Sequence, residues 1–551
     1  MEITRRSLLQ TAVGAAAALP LGAHQGKPDQ PTPARPPNIV LILADDMGYS
    51  DIGSYGSEIV TPNLDRLASQ GVRFTQFYNC ARCCPSRASL LSGLYPHQAG
   101  MGHMVDKEGP LPGYADDLSP ACRTIPEILK TANYQTFMAG KWHVTPVNQS
   151  KHNWPLQRGF DQYYGIIHGA ADYFNPVTLT RGNEFIEPEP NYYFTDALGD
   201  QSSRFISEAG KTDRPYFLYS AFTAPHWPLH ALDGEIEKYR DRYKNAWDAL
   251  REERHERQLK AGLLSERWDL SPRDPRVPAW KDVPNKEWQI MRMTVYAAMV
   301  DRLDQNIGKI LRAVATSGQE DNTLVCFMSD NGGCAEELGP RARGLHIPKK
   351  TRDGSPVKVG NLPANMPGHE DTYQSYGLPW ANASNTPFRL YKHWVHEGGI
   401  ATPLILRWPG QIKPSRQTIA EPCHFVDMMA TFAGISGATY PSEANGHAIR
   451  PMQGRNLLPL VMGEIKNFDR TLFWEHEGNR AARRGRWKLV RKYPGEDELY
   501  DIEADRTELH DRSGDQPKVL AELKHSWDAW AKDSDVLPWA QVKNELHDRS
   551  A

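Results

Sequence analysis

Apolar residues along this chain gather into short unbroken runs separated by polar loops, and those runs set the expected architecture. Asn38–Ala44 reads NIVLILA, and residues 323–328 form a second apolar run that stops as abruptly in polar residues. Runs of this length without polar alternation predict strands covered on both faces, as in a parallel sheet. Residues 134–139, 215–222 and 402–407 read the same way. Helical patterns lie between them. Residues 124–132 open on a Thr cap with an early Pro, and Met293, Tyr296, Val300, Leu303, Ile307, Ile310 and Val314 recur at three- and four-residue spacing. That stripe predicts one long helix packed on the sheet, which Gly308 interrupts only weakly, and residues 424–434 predict a closing helix. Strands alternating with helices place the chain in the α/β class, with a large, mostly parallel sheet flanked by helices.

From about Gly454 the pattern changes. Residues 470–475, 480–490 and 497–501 read as strands of a small antiparallel sheet, followed by a helix over 516–531. The basic run from Arg480 to Lys492 alternates with Trp487 and Leu489, which predicts a solvated strand face rather than a polyanion patch. Two segments fit neither pattern. Residues 231–285 are charged and Trp-dotted without steady periodicity, and residues 335–383 are rich in Gly and Pro. Both read as insertions, the second walling the entrance to a site. The expected division is a leader and linker over 1–35, a catalytic domain over 36–453 and a smaller α+β unit over 454–551. In the leader, Arg5-Arg6 precede a small-residue apolar run from Ala12 to Leu21, a pattern that resembles a twin-arginine export signal. That run is too short to span a bilayer, so a periplasmic or secreted protein without stable membrane association is expected.

Chemistry-bearing residues cluster at the ends of the predicted strands. Asp45-Asp46 follow the first strand and Asp330-Asn331-Gly332-Gly333 follow the fourth, where open α/β sheets hold ligands. Adjacent carboxylates need a counter-charge, and oxygen donors suit calcium or magnesium rather than zinc or copper. Gly140-Lys141-Trp142-His143 puts Lys141 and His143 two apart in extended chain, facing one way. His226 sits between Pro225 and Pro228 in a stiffened loop, a candidate acid or base. Cys83-Cys84-Pro85-Ser86-Arg87 opens a short helix, with Pro85 expected at its first position, Cys83 as an exposed thiol just before it and Arg87 adding charge one turn in.

Composition narrows the classes. The 551 residues are 40% hydrophobic and 24% charged with a formal net charge of −3, so nothing drives binding to nucleic acid or to acidic membranes. Seven cysteines are too few for a disulfide scaffold, and Cys80-x-x-Cys83 lacks the second pair that a zinc finger needs.

Taken together these motifs resemble the type I sulfatases of the alkaline phosphatase superfamily, in the bacterial arylsulfatase branch. The signature Cys-x-Pro-Ser-Arg, two apolar residues and Ser/Thr-Gly is met in full from Cys83 to Gly93, and Gly-Lys-Trp-His is met at residues 140–143. The resemblance implies that Cys83 is oxidised to formylglycine by a formylglycine-generating enzyme, and that the hydrated aldehyde attacks sulfur. It implies one ion, usually calcium with magnesium as the other fitting choice, held by Asp45, Asp46, Asp330, Asn331 and position 83. It assigns sulfate binding to Lys141 and Lys392, a bracing role to Arg87, leaving-group protonation to His226 with help from Lys392, and deprotonation of the hydrate to His143. Arg389 and His396 lie close enough to Lys392 to be confused with it. The implied substrate is a small-molecule or glycan sulfate ester, with Trp280 and Trp380 open to stacking or to plain packing. Two other readings stand beside it: a phosphonate or phosphate monoester hydrolase on the same scaffold, and a non-catalytic sulfated-glycan binder should Cys83 stay unmodified.

Overall fold

In a computed structural model, the backbone is described for residues 35–550 apart from 106–108, 110, 148–149, 414–417 and 445. The leader with its Arg pair lies outside the described residues. The first apolar run is a central strand of an eleven-stranded sheet. From one edge the order runs Thr418–Ile419, Val72–Tyr78, Ala401–Arg407, Thr323–Ser329, Asn38–Ala44, Tyr216–Ala221, Gln135–Lys141, Gln162–Ile166, Leu179–Arg181 and Glu184–Phe185, with Cys423–His424 also paired to Val72–Tyr78. The five strands from Thr323–Ser329 to Gln162–Ile166 are mutually parallel, and Ala401–Arg407 pairs antiparallel on both sides.

Strand alternation explains why the run is apolar throughout. Val40, Ile42 and Ala44 face one core cluster, while Ile39, Leu41 and Leu43 face the other. The long helix Lys286–Thr316 packs with Phe194–Ala209 on the first face. Helices Cys83–Ser92, Ile125–Lys130 and Asp427–Ser436 cover the second. Ile125–Lys130 carries the expected Thr124 cap, which Glu127 completes reciprocally.

Several expectations shift. The segment 231–285 holds two helices, Asp233–Tyr239 and Ala246–Lys260. The second is charged because it buries Arg254 against Asp51 and Glu58 at 2.7 and 2.9 Å, so ion pairs replace the apolar stripe that periodicity detects. The loop 335–383 ends in the helix Gly377–Ser384. The closing helix is Asp427–Ser436, displaced from the expected start because Asp427 turns its carboxylate back onto the His424 amide at 2.7 Å.

In the C-terminal part, Thr471–His476, Asn479–Arg484, Trp487–Arg491 and Asp497–Asp501 form a four-stranded antiparallel meander. The basic run is therefore two strands, broken at Gly485. Its charges are solvated only in part, at Arg484, Arg486 and Lys492. Lys488 is fully buried between Glu397 and Glu508 at 2.9 and 2.8 Å, Arg480 pairs with Asp497, and Arg483 reaches the Tyr78 hydroxyl. One face of the meander packs on the helix Pro517–Asp533 through Leu489, Leu499 and Trp527, and a further helix, Trp539–Ser550, follows. The other face joins the main core through Trp474, Ala481 and Val490. Residues 36–551 form one compact unit, and among the described residues no helix is long and apolar enough to cross a membrane.

Candidate active site

Four neighbouring parallel strands end at one place. Ala44 is in register with Ser329, so Asp45-Asp46 and Asp330-Asn331 leave adjacent strands side by side. On the other flank, Tyr216–Ala221 leads to His226 and Gln135–Lys141 ends in Lys141 itself. The close approach of those two strands demands glycine at 140. Its φ is +125°, and a Cβ there would lie 1.8 Å from the Ala221 carbonyl oxygen. Gly332 is constrained likewise, since a Cβ would meet the Gly398 oxygen at 1.9 Å.

Cys83 is the first residue of the helix Cys83–Ser92, with Arg82 capping it and Gly93 ending it in left-handed geometry at φ 70°. Pro85 thus occupies the third helical position, not the first, because the Ser86 hydroxyl bonds back to the Cys80 amide at 3.0 Å and draws the turn two residues earlier. The thiol is buried rather than exposed, at 1%. Donation from the Cys84 thiol holds the Cys83 thiol well below its ordinary pKa against the opposing effect of burial, with Lys141, Lys392 and His143 adding to it. Cys84 is pushed well above the usual value, chiefly by burial.

Three cations and three carboxylates interlock around this sulfur. Arg87, fully buried, places Nε 3.0 Å from Asp330 Oδ2, Nη2 3.5 Å from Asp45 Oδ2, and donates from Nη1 to the Lys141 carbonyl at 2.9 Å. Lys141 Nζ sits 2.7 Å from Asp45 Oδ2, and Lys392 Nζ 3.0 Å from Asp46 Oδ2. Burial would lift Asp46, but Lys392 and His226 hold it below the usual carboxylate range. Asp330 is pushed up to about 8, by burial first and by Asp45 second.

The histidines are tuned to be neutral. Burial takes His143 down to about 3, and its Nε2 lies 3.2 Å from Cys84 Sγ. His143 adopts φ 55°, so it does not continue the strand of Lys141; the two converge on Cys83 because the chain turns after Lys141. His226 falls to about 4, again by burial. Its Nδ1 donates to the Trp227 carbonyl at 2.7 Å, which leaves Nε2 bare in the neutral ring, 3.4 Å from Asp46 Oδ2.

The donor set suits a hard divalent ion. Asp45 Oδ1 and Asn331 Oδ1 are buried without any hydrogen-bond partner, an expensive arrangement unless a cation meets them. The Asn331 amide spends its donor end on Asp46 Oδ1 at 2.7 Å and on the Gly332 carbonyl, so the bare oxygen is the end left free. Asp45, Asp46 and His226 also present ligand atoms within 4.8 Å of one another.

Every candidate from Asp45 to Lys392 thus falls in one cluster, whereas Arg389 and His396 face Glu498 on the small sheet at 2.8 and 3.6 Å. Trp380 is fully buried against Trp247 and Trp280, so its role is packing, while Trp280 is half-buried at the edge of the trio. Sequence reading missed Glu336, which joins Arg82 and Trp227 Nε1 at 3.0 Å each beside Lys392 and His226. It also missed His168 and His346, stacked in series on His143 with centroids 6.2 and 4.9 Å apart. Neither lies in a motif, since each stands alone in an irregular loop.

Comparison with known proteins supplies the family. The Sulfatase family model matches residues 37–438, and the model described as N-sulphoglucosamine sulphohydrolase, C-terminal, matches 388–532. The chain is 34% identical over 539 residues to an uncharacterised sulfatase of Schizosaccharomyces pombe, covering 92% of this chain and 95% of that one. It is 32% identical over 422 residues to an arylsulfatase of Klebsiella aerogenes, covering 71% and 83%. Among solved structures, Ps i-CgsB, crystallised with k-i-k-neocarrahexaose, matches with a TM-score of 0.65 at 26% identity, covering 91% and 94%.

Proposed function

The chain belongs to the sulfatase family, a family of sulfate ester hydrolases, and from that premise we propose how its own residues cleave an aryl or carbohydrate sulfate to alcohol and inorganic sulfate. The observation that carries the proposal is the convergence of Asp45, Asp46, Asp330 and Asn331 with a buried, activated Cys83 between Lys141 and Lys392. Oxidised to formylglycine, position 83 supplies a hydrated aldehyde with a hydroxyl able to attack sulfur. A calcium or magnesium ion held by Asp45, Asp46, Asp330 and Asn331, with position 83, supplies Lewis acidity toward a sulfate oxygen.

The remaining work falls to the chain itself. Lys141 and Lys392 are buried cations placed to neutralise sulfate oxygens as charge moves onto them. Loss of one such preorganised group costs about 2.7–4 kcal/mol of transition-state stabilisation. Arg87 braces the centre by tying Asp330, Asp45 and the Lys141 carbonyl together. His143, neutral and 3.2 Å from the neighbouring Cys84 sulfur, accepts the proton of the second hydroxyl. The leaving oxygen needs a donor. Lys392 holds its proton well above the ordinary lysine range, the pull of Asp46 outweighing burial, whereas His226 donates from Nε2 only as the imidazolium. Lys392 therefore stays cationic beside the sulfate, and His226, the stronger acid of the two once protonated, delivers the proton with Lys392 assisting.

Cys83→Ala tests this reading: turnover of a 4-nitrophenyl sulfate should vanish while the fold and calcium binding persist, and wild-type turnover in that variant would sink it. Mass spectrometry of the peptide containing Cys83 reads the oxidation directly. Matched sulfate and phosphate esters separate the sulfatase reading from phosphate hydrolysis on the same scaffold. Maturation by a formylglycine-generating enzyme in the cytoplasm, then export of the folded chain to the periplasm through the Arg5-Arg6 leader, completes the proposal.

A further inference from the structure

A second cluster of metal-ligating side chains lies apart from the carboxylates of the sulfate site. Glu477 occupies the turn between the strands Thr471–His476 and Asn479–Arg484, in left-handed geometry at φ 51°. Three imidazoles surround its carboxylate. His103 Nε2 is 3.2 Å and His476 Nε2 3.4 Å from Oε1, and His393 Nδ1 is 3.3 Å from Oε2. His393 directly follows Lys392, so the cluster joins the small C-terminal sheet to the segment bearing a sulfate-binding lysine.

Hydrogen bonding accounts for only one arm of this arrangement. His103 Nε2 bonds Glu477 Oε1 at 3.2 Å, whereas the His393 and His476 contacts, at 3.3 and 3.4 Å, are well beyond the about 2.7–2.9 Å of a charge-assisted N–H···O bond. His476 is fully buried, yet neither of its ring nitrogens makes a hydrogen bond of proper geometry, and His103 Nδ1 is unpartnered too. Unsatisfied buried nitrogen costs about 1–3 kcal/mol. Ligands about 2.0–2.1 Å from a tetrahedral ion are about 3.3 Å apart, close to the 3.4 Å from His476 Nε2 to Oε1 and the 3.3 Å from His393 Nδ1 to Oε2. His393, His476 and Glu477 offer atoms that all lie within 4.8 Å of one another. The His393 side chain is 27% exposed, which gives an ion access from solvent.

We propose that His393, His476 and Glu477, with His103 alongside, form a second metal site for a borderline divalent transition ion of the Zn2+ type, clamping the turn at Glu477 onto the Lys392 segment. Imidazole donors favour that class over calcium or magnesium, and a single carboxylate beside Arg82 gives a hard cation too little charge to bind. The two sites therefore sort ions by chemistry: all-oxygen donors beside Cys83, nitrogen-rich donors here.

Cobalt(II) is the probe, because its visible ligand-field bands report coordination geometry. The titration uses the full chain saturated with calcium and carrying Cys83→Ser and Cys84→Ser, since Cys83, Cys84 and His143 form another cluster able to take a soft ion. That background lacks the proposed nucleophile, so the result is independent of whether the sulfatase mechanism holds. One equivalent of cobalt should bind with tetrahedral or five-coordinate bands, zinc should displace it, and zinc should raise Tm. His393→Gln, at a partly exposed position, should weaken binding by more than the about 10–100-fold that loss of an outer-shell partner costs. Glu477→Gln should do the same. Absence of bands, or bands and affinity unchanged in both variants, overturns the proposal.

Discussion

Replacing Lys488 with Met tests how the small sheet holds the catalytic unit. Lys488 Nζ lies 2.9 Å from Glu397 Oε1 and 2.8 Å from Glu508 Oε1, and Arg506 Nε lies 2.9 Å from Glu397 Oε2, with all four side chains fully buried. The network holds two acids and two bases and is neutral as built. Glu397 is five residues from Lys392 and opens the short helix Glu397–Ile400, whose Gly399 carbonyl accepts from the Gly332 amide at 3.0 Å, one residue past Asn331. Lys488→Met keeps the side-chain length but strands the Glu508 carboxylate. Breaking a buried pair from one side costs about 3–5 kcal/mol. At about 2.1 cal/mol/K per residue, the roughly 500 described residues give an unfolding entropy of about 1.1 kcal/mol/K, so Tm should drop by about 3–5 °C. Differential scanning calorimetry at one fixed scan rate reads this, because unfolding of a chain this size is subject to irreversible loss. Adding Glu508→Gln restores neutrality and should recover part of the drop. A single variant melting within about 1 °C of wild type, or a double variant worse than the single, would refute the anchoring role.

Other outcomes follow from the same geometry. Lys141→Met should lower kcat by about 10²–10³-fold on a 4-nitrophenyl sulfate, and an undiminished kcat would remove Lys141 from the reaction. Chelation with EDTA should abolish turnover and lower Tm, and calcium at about 100 times its Kd should return about 2.7 kcal/mol of stability. Failure of calcium and magnesium alike to restore Tm would argue against the oxygen-donor site. His424 is fully buried and taken down to about 3 by burial, with Arg470 adding to it. The unfolded chain protonates this group near 6.5 and the folded chain near 3, so its contribution is fully present above about pH 6.5 and lost as pH falls toward 3. By pH 4.5 the loss is about 2.7 kcal/mol, and Tm measured from pH 7 to 4.5 should fall less steeply in His424→Gln.

The sheet and the reactive centre were readable because both rest on local signals. A doubly covered strand must be apolar at every position, so Asn38–Ala44 and Thr323–Ser329 announce themselves, and their polar stops, Asp45-Asp46 and Asp330-Asn331, must then meet wherever the strands pair. Lys392 was legible only through family resemblance, since no strand end carries it. The helix Ala246–Lys260 was illegible because it is held by Arg254 among Asp51 and Glu58, partners roughly two hundred residues away. The same cause hid the burial of Lys488: alternation along Trp487–Arg491 shows which side chains share a face, but not that the facing surface supplies Glu397. Charge patterns become structure only through distant partners, and one strand's sequence does not name them.

Charge bookkeeping also explains why the reactive centre tolerates so many buried ionic groups. Arg87, Lys141 and Lys392 balance Asp45, Asp46 and Asp330, so the protein alone brings the cluster close to neutrality, a condition under which full burial is affordable. A divalent ion held by these residues would then leave a local excess of two positive charges. A sulfate ester carries one negative charge, while the departing sulfate dianion carries two. That excess would match the charge that accumulates during the reaction rather than the bound substrate, the condition for stabilising the transition state more than the ground state. The rise of Asp330 to about 8 without the ion, caused by burial first and by Asp45 second, shows a carboxylate that a cation would relieve of its proton. Exchanging Asp330 for Asn should therefore weaken calcium binding while leaving the fold in place, and calcium affinity unchanged in that variant would break the argument.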